Sequence, residues 1–282
     1  MIKIHKNQAI PGRHQKSIVT DVFYQENNKK KPIVIFCHGY KGFKDWGAWD
    51  LMATTFAEQG MFFIKFNFSH NGGTLSQPID FPDLDAFAEN NYSKELDDLQ
   101  TIIDRISDTK NPYHNELDVH HIALIGHSRG GGIACIKASE EPKITKLVTW
   151  AGVSDYAVRF PDKKGLEDWK KKGVVYVENS RTKQQMPHHY QFYTDFKENE
   201  DRLTIKKAVN KLNIPYLIIH GTDDTTVHYK EAEALHSWNL QSKLELIEGS
   251  NHVFEAQHPW TESKLPENLR EVVSKTVSFV II

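Results

Sequence analysis

The sequence predicts an α/β protein built on a doubly wound, mostly parallel sheet. Short β-branched or aromatic runs alternate along the chain with stretches of helical period, the pattern of strands joined by crossover helices. From Pro32 onward those runs are almost continuously apolar, as strands covered by helices on both faces must be. The length, 282 residues, suits one such domain spanning 1–282.

Taken in order, strands are expected over 17–24, 32–37, 61–67, 122–125, 147–150, 215–220 and 244–248. Trp49, Met52, Ala53, Phe56 and Ala57 fall on one helical face, and Gly60 follows as the stop. The stretch 71–90 holds Gly72-Gly73 and two prolines and is expected to be a loop. Leu96, Leu99, Ile102, Ile103 and Ile106 make a second helical stripe, with Ser93 or Asn91 available as its cap. A helix is expected over 131–139, and Leu269, Val272, Val273, Thr276, Val277 and Val280 mark another near the C-terminus. Alternation breaks once, after the sixth core strand. The stretch 153–213 is far longer than a crossover needs, yet too aromatic for disorder, and is expected to form a small cap over one end of the sheet.

Composition narrows the function classes. Thirty-five basic residues against 37 acidic ones leave a net charge of −2, which argues against nucleic-acid binding by phosphate neutralisation. No apolar run is long enough for a membrane span, and the first residues carry no secretory signal, so a cytoplasmic protein is expected. The two cysteines, Cys37 and Cys135, sit in apolar segments and read as buried thiols. The pairs His120-His121 and His188-His189 lack a third ligand at matching spacing, so neither a metal nor a cofactor is expected. The lysine-rich KKGLEDWKKK reads as a solvated face. Trp169, Met186, Tyr190, Phe192 and Tyr193 could line a pocket or form the cap's own core.

The sharpest chemical signal is Gly126-His127-Ser128-Arg129-Gly130, a G-x-S-x-G between a strand and a helix. A serine on that tight turn needs a strained backbone, and side chains two residues to either side would collide with neighbouring chain; glycine removes the collision. The helix N-terminus beside Ser128 suits a developing negative charge. A hydroxyl nucleophile needs a base, and in this arrangement the acid and then the histidine follow the serine in the chain. Asp223 and Asp224 lie in the loop after strand 215–220, and His252 in the loop after strand 244–248. All three types are thus expected at the carboxyl edge of the sheet, where open α/β sheets bind ligands. Two backbone N–H groups are expected to hold the oxyanion, from Arg129 and from Tyr40 in the His38–Gly39 turn after strand 32–37. The side chains of His127 and Arg129 are expected to point away from the nucleophile.

These motifs resemble the α/β-hydrolase superfamily from about Pro32 to the C-terminus. The resemblance covers the His38-Gly39 oxyanion segment, the GHSRGG nucleophile turn, the acid loop HGTDDTTV and the histidine loop GSNHVF. It implies Asp224 rather than Asp223 as the acid. Within the superfamily the combination is similar to bacterial feruloyl/cinnamoyl esterases and related small carboxylesterases. It implies acyl transfer from a small-molecule acyl substrate through a Ser128–His252–Asp224 triad and an acyl-enzyme. Cleavage of an acyl-CoA thioester or an amide by the same triad is the alternative. A non-catalytic ligand receptor is the third reading, against which the whole triad argues.

Overall fold

The computed structural model describes residues 1–281; Ile282, at the end of the expected domain, lies outside them. The chain opens with the antiparallel hairpin β1 (Ile2–Pro11) and β2 (Ser17–Gln25), then β3 (Lys31–Cys37), α1 (Trp49–Glu58) and β4 (Phe62–Asn67). Next come α2 (Leu84–Ala88), α3 (Tyr92–Ser107), β5 (Leu117–His127), α4 (Arg129–Glu140) and β6 (Ile144–Trp150). The insertion follows, with α5 (Lys163–Lys172), β7 (Val174–Glu178), β8 (Gln185–His189), α6 (Gln191–Glu198), α7 (Glu200–Leu203) and α8 (Ile205–Lys211). The last elements are β9 (Tyr216–Gly221), α9 (Lys230–Trp238), β10 (Lys243–Ile247) and α10 (Glu267–Ile281).

Eight strands form one sheet in the order β1-β2-β4-β3-β5-β6-β9-β10, parallel except at β1–β2 and β2–β4. The two-residue period of a strand sorts each apolar run onto two faces. Ile33, Ile35 and Cys37 of β3 pack with Leu99 and Ile103 of α3, Ile133 of α4 and Val209 of α8. Val34 and Phe36 turn to the opposite face, against Trp49, Met52 and Phe56 of α1 and Val272 of α10. Both faces are covered, which is why the run shows no polar alternation.

The expected helices form, with Asn91 rather than Ser93 capping α3 through Lys94 N–H, and Gly60 at φ +81° just past α1. Helix α4 begins two residues earlier than expected, at Arg129. The stretch 71–90 is not all loop: it holds α2, whose Phe87 packs with Phe43, Phe81 and Met186. Strand β1 was not expected. As an edge strand it is mostly exposed and carries Lys3, His5, Lys6 and Asn7, so it lacks the apolar run that marks the central strands. Within 153–213 the β7–β8 hairpin stands apart from the main sheet, whereas Val209 of α8 lies in the main core and α8 packs on α4. The α5 lysines are exposed and only its Trp169 is buried.

Asp21, Asp45 and Asp50 bring carboxylate oxygens within 4.8 Å of one another, and the Lys44 and Lys65 ammoniums lie between them. Lys6 pairs with Asp45 and Asp50 as a third ammonium, so three protein cations balance the three carboxylates. Cys37 and Cys135 are buried and unpaired, and burial pushes the Cys135 thiol up to about 12. Among the described residues no helix is long and apolar enough to cross a membrane.

Asp98 of α3 is buried and accepts one bond from Ser69 N–H at 2.7 Å, while its other oxygen has no partner. Burial pushes its carboxyl up to about 7, with the Glu95 charge adding to the effect. An acid whose native pKa is raised binds more protons in the folded than in the unfolded chain, so stability falls as pH rises from the unfolded value towards the native one. That rise corresponds to at most about 4 kcal/mol. Asp98→Asn is expected to flatten the loss of thermal stability between about pH 4 and 7, relative to the parent, when melting is followed by circular dichroism.

Candidate active site

The turn between β5 and α4 carries the serine. Ser128 adopts φ +55° and ψ −122°, a conformation L-residues avoid. Its backbone is locked on both sides: its N–H donates to Trp150 O at 2.9 Å, and its carbonyl accepts from Gly131 and Val153 N–H. A Cβ at Gly126 would lie 2.3 Å from Gly130 O, and one at Gly130 would lie 2.5 Å from Cys37 O and His38 O. The collision expected from the sequence is thus real, and it involves backbone that has no room to move.

The turn after β3 packs on this serine. A Cβ on Gly39 would fall 2.8 Å from Ser128 Cβ. His38 is buried, donates from Nδ1 to Gly39 O at 2.9 Å and accepts at Nε2 from Phe68 N–H; burial lowers its pKa to about 4. This neutral ring fixes the turn that presents Tyr40. Neither Tyr40 N–H nor Arg129 N–H, the two expected oxyanion donors, has a turn or loop partner among the described residues.

Asp224 sits beyond the end of β9, almost fully buried. Its Oδ1 accepts from Thr226 and Val227 N–H at 2.8 Å each. Its Oδ2 accepts from His252 Nδ1 at 2.7 Å and from His220 Nε2 at 3.1 Å. Burial alone would raise this carboxyl, but the bonds from His220, His252 and Val227 outweigh it and hold the group well below the usual carboxylate range. Asp223 beside it is exposed, and its side chain meets only Thr222 Oγ1 at 3.4 Å.

His252, in the turn after β10, is held from two sides. Asp224 fixes Nδ1, and its carbonyl accepts from His127 Nε2 at 3.0 Å. Burial lowers His127 to about 3, so that ring is a neutral donor. Ser128 and His252 line one cleft of about 320 Å³, although no hydrogen bond joins them among the described residues. In serine hydrolases without substrate that bond is often long and tightens in the complex.

Two chambers meet at Ser128. The first, about 310 Å³, is mainly apolar and includes Tyr92, Phe160, Trp169, Val175 and Phe192. The second is the cleft that holds His252. Tyr40 and Ser128 line both. Larger grooves of about 710 and 690 Å³ lie elsewhere on the surface and contain no histidine.

Two sequence expectations need correction. The Arg129 side chain does not leave the site: its guanidinium lines the apolar chamber, pairs with buried Glu95 and lies 4.9 Å from the Tyr40 ring centre. His127 lines the cleft and contacts His252 rather than pointing away. Glu95 draws the Arg129 guanidinium inward, and the His252 carbonyl holds the His127 ring in the cleft.

The cap aromatics divide. Trp169 and Phe192 line the chamber, Met186 packs with Phe43 and Phe87, and the Tyr190 and Tyr193 rings meet at a tilt of 49°. Sequence reasoning missed His220 as a partner of Asp224, and His188, whose Nε2 lies 2.7 Å from Tyr40 Oη. The first was legible as the histidine that ends the strand four residues before Asp224; the second had no signal, because the link joins residues 148 positions apart.

A family model described as BD-FAE matches residues 20–239. The uncharacterized peptidase YtmA of Bacillus subtilis is 29% identical over 135 residues, which cover 48% of this chain and 45% of that protein. The chain therefore spans less than half the length of that curated relative. Among solved structures, a putative hydrolase from Agrobacterium vitis has a TM-score of 0.71 at 17% identity, covering 99% of each chain. Est1E from Butyrivibrio proteoclasticus with bound ferulic acid has a TM-score of 0.70 at 18% identity, covering 97% of this chain and 98% of that one.

Proposed function

Because this chain belongs to the BD-FAE family of α/β-hydrolases, we propose that it is a serine esterase working by a Ser128–His252–Asp224 triad. The observation that carries the reading is Asp224. A buried carboxylate receives His252 Nδ1–H at 2.7 Å, which leaves His252 Nε2 as the free base on the cleft that Ser128 also lines. In this reading Ser128 Oγ attacks the acyl carbon while His252 takes its proton. The oxyanion forms against Tyr40 and Arg129 N–H at the start of α4. His252 then protonates the leaving alcohol, and water, activated by the same ring, releases the acid and frees Ser128.

The apolar chamber of about 310 Å³ suits an aryl or cinnamoyl-type acyl group, with Phe160, Trp169 and Phe192 as its aromatic walls. The similarity to a Bacillus peptidase supports a second reading, cleavage of an amide by the same three residues.

Labelling with a fluorophosphonate probe followed by peptide mapping tests the reading. Modification is expected on the peptide containing Ser128 and absent in Ser128→Ala; labelling of any other serine overturns the assignment. A panel of p-nitrophenyl esters, acyl-CoAs and amino-acyl anilides then separates the substrate classes, with the esters expected to be turned over fastest.

A further inference from the structure

The two chambers differ in how their charge is balanced. In the acyl chamber every cation has a carboxylate: Arg129 pairs with Glu95, and Arg159 donates to Glu231 at 2.6 and 2.8 Å. No aspartate or glutamate lines the cleft on the His252 side, while Lys41 and Arg181 both do. Arg181 is paired with Asp80. Lys41 has no carboxylate partner among the described residues; its ammonium donates to the Glu178 carbonyl at 3.2 Å and lies 5.2 Å from the Tyr40 ring centre. It follows Tyr40 directly, at φ +53°, so the turn that presents the oxyanion donor also aims a cation along the cleft.

Direction decides which part of the substrate meets that cation. The leaving oxygen takes its proton from His252, so the alcohol must occupy the chamber His252 lines. His252 lines the cleft with Lys41, whereas the apolar chamber contains Ser128 without His252. The acyl group therefore takes the apolar chamber and the alcohol takes the cationic one. Trp46 and Trp49 offer the alcohol an aromatic wall, and Asn179 and Ser180 offer it polar edges.

We infer that the alcohol released by this enzyme carries an oxyanion, a carboxylate or a phosphate, with Lys41 as its counter-charge. This rests on the serine-esterase reading and adds the class of leaving group to it. The cation contributes to holding the ester and stabilising its departing half, and takes no part in proton transfer.

Three butyrate esters with one acyl group test it: phenyl, meta-carboxyphenyl and meta-phosphonooxyphenyl butyrate, followed by acid release in a pH-stat. Either anionic ester is expected to exceed the phenyl ester in kcat/KM by roughly five- to tenfold, the size of one partly solvated charge pair. The arm with the larger preference identifies the anion. The preference should shrink towards unity in Lys41→Gln, persist in Lys41→Arg and weaken in about 0.5 M salt, where screening is short-ranged. Equal or faster turnover of the phenyl ester, or a preference that survives Lys41→Gln, overturns the inference. The two levels fail differently. Phenyl butyrate turnover that persists in Ser128→Ala sinks the esterase reading itself, whereas Ser128-dependent turnover without an anion preference sinks only the leaving-group assignment.

Discussion

Ser128→Ala is expected to lower kcat on a p-nitrophenyl ester by on the order of 10⁶, and His252→Ala by a similar factor. The double variant should be no worse than either single one, because in the proposed mechanism the two groups act as a unit and removing one already removes the attack. Alanine fits the turn as serine does. The strain at φ +55° belongs to the backbone, and the hydrogen bonds that hold it run through Ser128 N–H and its carbonyl rather than its hydroxyl. The melting temperature should therefore stay close to the parent value, which separates lost chemistry from lost fold. A Ser128→Ala enzyme that kept even a hundredth of the parental kcat would remove the serine from the mechanism. A double variant whose loss was the sum of the two would show that the two groups act independently.

The legibility of this site follows from which constraints are local in the chain. The nucleophile turn was readable because its constraints fall within five residues. Backbone contacts of 2.3 to 2.5 Å at the Gly126 and Gly130 Cβ positions leave no alternative residue, so the glycines are visible in the sequence as a pattern. The central strands were readable for the same reason, since β3 is buried along almost its whole length. Contacts formed between distant segments left no such trace. The Tyr40–His188 bond depends on where the cap settles, and nothing in the residues of β8 announces a partner on the β3 turn; the placing of Arg129 over the Tyr40 ring likewise joins two distant segments. Strand β1 was invisible for the opposite reason: an exposed edge strand needs so few apolar residues that its composition matches a loop. The pattern of charge balance, complete in one chamber and open in the other, is also a property of the assembled site alone.

Asp224→Asn should lower kcat by about 10⁴ while leaving the fold intact, and Asp223→Asn should leave it near the parental rate. The reason lies in which oxygen the loop claims. Thr226 and Val227 both donate to Oδ1 at 2.8 Å, so an asparagine at 224 must place its carbonyl there and its amide nitrogen where Oδ2 was. That nitrogen would then face His252 Nδ1 and His220 Nε2 as a donor. His252 can accept it only by losing the proton on Nδ1, which moves the proton to Nε2 and leaves no lone pair there to take the serine's proton. His220 offers no escape. Its Nε2 also lies 2.7 Å from Val227 O and must keep its proton for that bond, so the new amide would meet a second donor head-on. Rotating the amide relieves His252 but sets the nitrogen against two backbone N–H groups. Every orientation therefore breaks at least one bond, and the one that best satisfies the loop is the one that disables the base. Asp223, exposed and bonded only to Thr222 Oγ1, has no such role to lose. Steady-state kinetics of the two variants on one ester decides between the neighbours, and a larger loss in Asp223→Asn would move the acid by one residue.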